Sequence, residues 1–227
     1  MSWYAYVILF SFLGPFALSF DKKIAFYKEF RFLFFGLIIT AIAFILWDEY
    51  FTVNKIWGFN PSYLLKIYIG HLPLEEILFF LIVPYNCVFI HQVLKGYFPQ
   101  VKMKVVGKWF FFLFAASGLF FAVYYFKNWY TMSACLITFL FAAWTLLNKP
   151  SWMGNFTFTY LVCLIPFVVV NGILTGAITP SPIVWYAESH IIGWRLITIP
   201  FEDLYYNFSL LFPIIALFER SKARSLR

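Results

Sequence analysis

The sequence predicts an all-α membrane protein that crosses the bilayer about seven times. Hydrophobic residues make up 63% of the 227-residue chain and charged residues only 12%, which is far outside the range of soluble globular domains. Several apolar runs approach the ~20 residues that a helix needs to cross a hydrocarbon core. Two acidic motifs of the same form, each at the front of a long apolar run, indicate an internal repeat.

Seven apolar runs qualify as spanning helices, at about residues 3–19, 32–47, 73–94, 107–126, 129–147, 156–179 and 195–218. The second run is short, and only a tight turn at Asn128 separates the fourth from the fifth. We expect two parallel three-helix repeats joined by a linking helix. The first repeat would cover residues 1–100, the linking helix 101–127 and the second repeat 128–227.

Basic residues favour one orientation of these spans. If the spans alternate in direction, thirteen Lys and Arg residues fall on one side and four on the other. The side with thirteen should be cytoplasmic, which places the N-terminus outside and the C-terminus inside the cell (inner) membrane. The net charge of +7 is therefore a topology signal, and no nucleic-acid partner is expected. The thirteen are Lys22, Lys23, Lys28, Arg31, Lys95, Lys102, Lys104, Lys108, Lys149, Arg220, Lys222, Arg224 and Arg227.

Two pairs of adjacent acids are the most informative feature, because carboxylates in a membrane segment are costly and mark a functional site by default. Glu75 and Glu76 begin the third span, and Glu202 and Asp203 begin the seventh. Each pair lies two residues behind a proline, and a tryptophan precedes that proline by sixteen residues in one case and fifteen in the other. Parallel repeats would bring both pairs to the non-cytoplasmic side, so we expect one shared site.

Two interpretations of these pairs remain open. Each could be an ordinary capped helix start with solvated acids, stabilised by the helix dipole. The duplication, the doubled acids and the apolar sequence that follows favour a functional site instead. In a dry site at least one carboxyl stays protonated and is a strong general acid, while its partner could stay ionised and either stabilise positive charge or accept a proton. One acid of each pair should face the cavity, and the sequence does not say which.

Polar and aromatic side chains at similar depth are candidates for the lining of the site. Asn171 either forms an interhelical hydrogen bond or belongs to the site. His71 and Glu75 have a metal-compatible spacing, but a lone interfacial histidine is the better interpretation, so no metal is expected. No GxGxxG, P-loop or Asp-rich motif occurs, so no cofactor is expected. The candidate substrate-binding residues are Asp48, Trp57, Phe79, Phe80, Asn171, Trp185, Tyr206 and Asn207.

The paired motifs resemble those of the membrane-integral, flavin-free lycopene β-cyclases. The resemblance extends from Phe20 to Glu219 and is carried by residues 47–80 and 171–207. In that family the two halves occur as separate small subunits or as one fused chain, which is the form expected here. The surroundings of His71 and Arg195 depart from the family pattern.

The resemblance implies a redox-neutral isomerisation in carotenoid biosynthesis. A carboxylic acid protonates the C1=C2 bond at a ψ-end of lycopene, the C5=C6 bond attacks the cation, and loss of a proton from C6 gives a β-ionone ring. The acid and its counter-charge would come from Glu75, Glu76, Glu202 and Asp203. The implied partners are lycopene from the bilayer and membrane lipids. A homo-oligomer, association with other carotenoid enzymes and the number of rings formed stay open.

Two other classes of function compete with a cyclase. Parallel three-helix repeats joined by one helix also occur in proton-coupled transporters, in which membrane carboxylates relay protons. The clustering of the acids on one side, away from the midplane, argues against this class. A non-catalytic carotenoid- or quinone-binding scaffold would use the aromatic residues but not the doubled acids.

Overall fold

Seven α-helices account for most of residues 2–225, the part of the chain that the computed structural model describes. Met1, Leu226 and Arg227 lie outside this part, so Arg227, one of the counted basic residues, has no structural description. Each predicted apolar run overlaps one continuous helix. The helices are α1 Trp3–Leu18, α2 Phe30–Val53, α3 Leu74–Tyr97, α4 Lys104–Tyr124, α5 Trp129–Asn148, α6 Met153–Leu174 and α7 Glu202–Ser225.

Five helices among the described residues, α2 to α6, are long and apolar enough to cross a membrane by length and composition. Helix α1 is apolar but has only 16 residues, and α7 has 24 residues with acids in its first turn and bases in its last. These helices are consistent with a membrane protein.

Four helix boundaries lie five or more residues from the predicted ones, and one of them is the end of α7 at Ser225 rather than near residue 218. Helix α2 continues to Val53 rather than ending near residue 47, which brings Asp48 and Glu49 into the helix. Helix α6 ends at Leu174 rather than near residue 179, and the left-handed φ of 100° at Gly176 explains the stop. Helix α7 begins at Glu202 rather than near residue 195, because a β-hairpin occupies the residues in front of it.

Residues 2–97, called the first half, and residues 129–225, called the second half, contain the same core order of elements. In each half two helices are followed by a strand, a short 3-10 turn, a hairpin whose two strands have two residues each, and a third helix. The strands of the first half are β1 Trp57–Phe59, β2 Tyr68–Ile69 and β3 Leu72–Pro73. Those of the second half are β4 Val184–Tyr186, β5 Arg195–Leu196 and β6 Ile199–Pro200.

The correspondence extends to unusual backbone conformations. Lys66 and Gly193, each nine residues before the first acid of its half, have φ values of 64° and 88°. Gly70 and Ile197, each five residues before that acid, have φ values of 64° and 62°. Left-handed backbone is unfavourable for a branched residue such as Ile197. The turn geometry in front of the acids is therefore held in both halves despite different side chains.

Strands β1 and β4 pair with each other, so one strand from each half contributes to a small antiparallel sheet, called the cap. Trp57 lies opposite Tyr186, and Gly58 lies opposite Trp185. The indole of Trp185 packs against Gly58, where a Cβ atom would collide with the ring. The glycine is therefore needed for this close approach.

Contacts between the halves form the core of the bundle. Helix α2 packs on α7 and α3 packs on α6, while α1 packs on α3 and α5 on α7 within each half. Helix α4 lies mainly against α5, where a Cβ atom at Gly118 would be 2.8 Å from the Cys135 carbonyl oxygen. Phenylalanine rings fill much of the interior, for example Phe114 stacked on Phe208 at 4.9 Å between centroids.

A polar network lies at the end of the bundle opposite the cap. The buried ring of His91 contacts Thr159 Oγ1 at 2.6 Å and Glu219 Oε1 at 2.7 Å. Lys95 donates to the same Glu219 oxygen at 2.5 Å. Because these residues lie on α3, α6 and α7, the network joins three helices at the end of the bundle that carries most basic residues.

Labelling of single cysteines tests the orientation that the charge bias predicts. Ser62→Cys, on the cap side, should react with a membrane-impermeant maleimide in intact cells, whereas Lys102→Cys should react only after permeabilisation. The native chain is the control, since Cys87, Cys135 and Cys163 are all buried. If only Lys102→Cys is labelled in intact cells, the orientation is the opposite of the predicted one.

Candidate active site

Both acid pairs fall in the first turn of a helix that follows a hairpin. Pro73 and Pro200 are the last residues of their hairpins, so each proline precedes the helix instead of occupying its first turn. The side chains of Glu75, Glu76, Glu202 and Asp203 are 0%, 8%, 0% and 4% exposed. The interpretation of these residues as solvated helix-capping acids is therefore wrong.

The first acid of each pair connects two segments of its own half through hydrogen bonds. One oxygen of Glu75 and one of Glu202 each accept two hydrogen bonds, from a hydroxyl near the start of the first helix of the half and from a backbone N–H ten residues upstream. The donors are Ser2 Oγ at 2.7 Å and Leu65 N at 2.6 Å for Glu75, and Thr131 Oγ1 and Ile192 N, both at 2.6 Å, for Glu202. These two carboxylates thus hold the segments that precede α3 and α7.

The second acid of each pair lines a cavity of about 50 Å³ beneath the cap, which we call the acid chamber. Glu76 accepts a hydrogen bond from the Tyr4 hydroxyl at 2.5 Å. Asp203 accepts one hydrogen bond on each oxygen, from Tyr130 at 2.5 Å and from Tyr186 at 3.1 Å. Neither Glu75 nor Glu202 lines the chamber. The pairs therefore present one acid each, one from either half, to a common space.

Aromatic rings form much of the wall of the acid chamber. Trp57 lies 5.0 Å from Tyr130 and 5.8 Å from Tyr206 between ring centroids, and Tyr130 stacks on Tyr186 at 5.6 Å. Burial raises the pKa of the Tyr186 hydroxyl well above its usual range. Tyr186 therefore stays neutral and remains a hydrogen-bond donor to Asp203.

Asp48 supports this wall from behind. Its carboxylate is buried and accepts hydrogen bonds from the Trp57 indole N–H and from Thr52 Oγ1 at 3.3 Å. Asp48 does not line the chamber, but its bond to Trp57 sets the position of an indole that does.

A larger cavity of about 370 Å³, which we call the apolar channel, adjoins the acid chamber. The two spaces share Phe79, Asn171, Asp203 and Tyr206, and Asn207 also lines the channel. The remaining wall is mainly aliphatic and aromatic and comes from α1, α3, α6 and α7. The acids therefore lie at one end of a space suited to an elongated apolar molecule.

Most predicted binding residues lie at these two spaces, and three do not. Trp57, Phe79, Asn171, Tyr206 and Asn207 line one or both. Asp48 lies behind Trp57, Phe80 is buried against Phe44 at 6.1 Å between centroids, and Trp185 packs on the outside of the cap.

Sequence reasoning missed the tyrosines that hold the acids. Tyr4, Tyr130 and Tyr186 each donate to Glu76 or Asp203. Two of them share one weak signal, because Tyr4 and Tyr130 lie at the starts of α1 and α5, which are the corresponding helices of the two halves. With 15 tyrosines in the chain, that position alone would not have selected them.

His71 and Arg195 each contact a glutamate away from the acid chamber. His71 Nδ1 lies 2.6 Å from Glu49 Oε1, and Arg195 pairs with Glu188 at 2.7 Å. Because the Glu75 carboxylate instead contacts Ser2 and Leu65, the metal-compatible spacing of His71 and Glu75 does not bring them together as ligands.

The two halves also match one protein-family model. The model of lycopene cyclase matches residues 1–94 and 127–221, which covers most of the chain and leaves out the segment that contains α4. The chain belongs to the lycopene cyclase family. It is therefore an enzyme acting on carotenoids, and the transporter alternative is not favoured. No curated protein and no solved structure matches the chain.

Removal of the Glu202 carboxylate, which connects two segments of the second half, should destabilise the fold. Glu202→Ala leaves the Ile192 N–H and the Thr131 hydroxyl without their acceptor, and each unsatisfied buried group costs about 1–3 kcal/mol. We expect a clearly lower melting temperature in detergent. Glu202→Gln keeps an acceptor oxygen and should melt close to the native chain.

The matched control is Glu188→Ala, which removes an acid with a side chain that is 70% exposed. Exposed ion pairs contribute little, so its melting temperature should hardly change. If Glu188→Ala and Glu202→Ala lower the melting temperature equally, Glu202 does not stabilise the fold by connecting two segments.

Proposed function

We propose that this protein is a lycopene β-cyclase that closes a β-ionone ring at one shared site, the acid chamber. The observation that carries the proposal is the meeting of Glu76 and Asp203, one from each half, in a small aromatic space that continues into the apolar channel. Acid catalysis of cyclisation needs a proton donor, a proton acceptor and an apolar place for the polyene, and these residues provide all three.

The hydrogen bonds support different roles for the two acids. Asp203 accepts a bond on each oxygen, so it is the carboxyl suited to hold negative charge. Glu76 accepts one bond, from Tyr4 to Oε2, which leaves Oε1 to carry a proton. Two carboxylates that share a low-dielectric space do not both stay ionised. We therefore assign Glu76 as the general acid and Asp203 as the counter-charge and general base.

In the proposed reaction, Glu76 protonates C2 of the terminal C1=C2 bond and leaves a tertiary cation at C1. The C5=C6 bond then attacks, which forms the C1–C6 bond and moves the positive charge to C5. Asp203 removes the proton from C6, so that a C5=C6 bond is regenerated within the new ring. One proton enters and one leaves, and its return from Asp203 to Glu76 completes a redox-neutral cycle.

The aromatic wall would stabilise the intermediate cations. Trp57, Tyr130, Tyr186 and Tyr206 all line the chamber, and the face of an aromatic ring attracts a cation that lies within about 6 Å of its centroid. Asp48 contributes indirectly by holding the Trp57 indole. Glu75 and Glu202 would act as positioning residues, since each holds the segment that leads into the helix of its neighbouring acid.

We also propose that all seven helices cross the membrane and that the two halves form parallel repeats. The same core order of elements and the matching positive φ values support the repeat. In this arrangement residues 1–100 and 128–227 are the repeats, α4 links them, and the acid chamber faces the non-cytoplasmic side of the inner membrane. The charge bias along the sequence supports this orientation.

Expression in cells that accumulate lycopene tests the proposed activity. Pigment extraction followed by chromatography should reveal carotenoids with one or two β-rings. The control is the same cells with the empty vector. If the protein is present in the membrane and every pigment remains acyclic, the β-cyclase proposal fails.

Amide substitutions test the division of roles within each pair. Glu76→Gln and Asp203→Asn remove the proton donor and acceptor, and loss of general acid–base catalysis typically lowers the rate by about 10²–10⁴-fold. Glu75→Gln and Glu202→Gln are the matched controls, because each keeps an acceptor oxygen outside the chamber and should retain most activity. If either control loses as much activity as its neighbour, the assignment of roles is wrong.

A further inference from the structure

The apolar channel adjoins a second space at the outer surface of the bundle. It shares Ser11, Val169 and Val170 with an open groove of about 520 Å³ between α1 and α6, which we call the access groove. The other residues of the groove are Trp3, Tyr6, Val7, Phe10 and Ile173. The groove adjoins the channel, and the channel adjoins the acid chamber. We call this series of spaces, which ends at Glu76 and Asp203, the path.

This path opens along the sides of the helices and not through the cap. Phe10 and Val169 are exposed on the flanks of α1 and α6, where apolar side chains would face lipid in a spanning bundle. Helix α1 packs mainly on α3 and contacts α6 only weakly. On the other side the cap strands cover the acids, with Trp57 and Tyr186 in the chamber wall.

A proline in the channel wall leaves one backbone carbonyl of α1 without its helical hydrogen bond, and a side chain of α3 supplies the missing donor. Pro15 lies within α1 and cannot donate a hydrogen bond to the carbonyl of Ser11, four residues earlier. Asn86 Nδ2 on α3 donates to that carbonyl at 3.0 Å. The bond satisfies the exposed backbone group and ties α1 to α3, leaving the side towards α6 as the opening.

The corresponding region of the second half is filled by aromatic side chains. The Phe51 ring lies 4.7 Å from Trp57, which in turn lies 5.0 Å from Tyr130 on α5. Phe114 and Phe121 of the linking helix pack against the same cluster. The halves therefore share an order of elements, but aromatic rings pack together at this place in the second half.

We propose that lycopene enters from the bilayer between α1 and α6 and lies along the channel with a single ψ-end in the acid chamber. This inference rests on the proposed cyclase function. The chamber and the channel together follow α3 from Glu76 to Ile90, fourteen residues on, a length of roughly 21 Å at 1.5 Å per residue. Only one end of an extended polyene reaches the acids in one binding event. A one-ring product must therefore leave and return reversed before a second ring forms.

The test places a bulky side chain in the access groove. Val169 lines both groove and channel, and Val123 on α4 faces outward with a similar exposure, 59% against 66%. In the Glu76→Gln background, which blocks turnover, Val169→Trp should lower the lycopene that copurifies with the full chain by about tenfold or more, because a Trp overfills the path. Val123→Trp should bind as much lycopene as its parent.

The same substitutions in the otherwise native chain separate the path from the chemistry. We expect Val169→Trp to lose conversion and Val123→Trp to keep it, with equal melting temperatures. Val170→Trp, a second substitution in the groove, should behave like Val169→Trp. If both groove variants bind and convert lycopene normally while Glu76→Gln is inactive, the proposal of entry between α1 and α6 is wrong and the proposal of cyclase activity is retained. If the native chain forms no ring but the groove variants still lose bound lycopene, the cyclase fails and the path stands.

A time course with excess lycopene in vesicles checks the single-end geometry. One-ring product should accumulate free in the membrane before any two-ring product. Formation of two-ring product from the first turnovers, without free one-ring carotenoid, would overturn it.

Discussion

A carboxyl group buried in an apolar bundle needs hydrogen-bond donors, and this need organises one end of the molecule. Glu75, Glu76, Glu202, Asp203 and Asp48 are all buried, and each accepts at least one hydrogen bond. Their donors lie on the starts of α1 and α5, on the segments before α3 and α7, on the cap and, for the Thr52 bond to Asp48, on α2. The interactions that make buried acids tolerable therefore also fasten helices, hairpins and cap to each other.

The doubled acids are explained by the geometry of the helix on which they lie. Neighbouring residues of an α-helix point about 100° apart, so two adjacent carboxyls face different surroundings. In each half the first turns towards the helix and loop of its own half, and the second turns towards the chamber shared by both. One short motif thus supplies a structural bond and a cavity-facing acid within a single turn. A lone acid could occupy only one of those positions.

The sequence predicts the approximate positions of the helices and the meeting of the two acidic motifs. Both predictions come from hydropathy and motif spacing, which can be read from short stretches of the chain. It does not predict which acid faces the chamber, since this depends on how α3 and α7 are rotated in the bundle. The tyrosine donors were missed because Tyr4 and Glu76 are 72 residues apart. The tryptophan spacing suggested equivalent roles for Trp57 and Trp185, but the cap pairs Trp57 with Tyr186. Adjacent strand residues point to opposite faces, so Trp185 lies on the outside.

The cap has a consequence for a chain divided within the linking helix. Each fragment would carry one strand of a two-stranded sheet and one of the two chamber acids. Unpaired, that strand presents free backbone donors and acceptors, which are satisfied when the other fragment docks. The same pairing that roofs the chamber would thus serve as a recognition element for complementation. Because neither fragment alone holds both carboxyls, the acid chamber would exist only after correct reassociation.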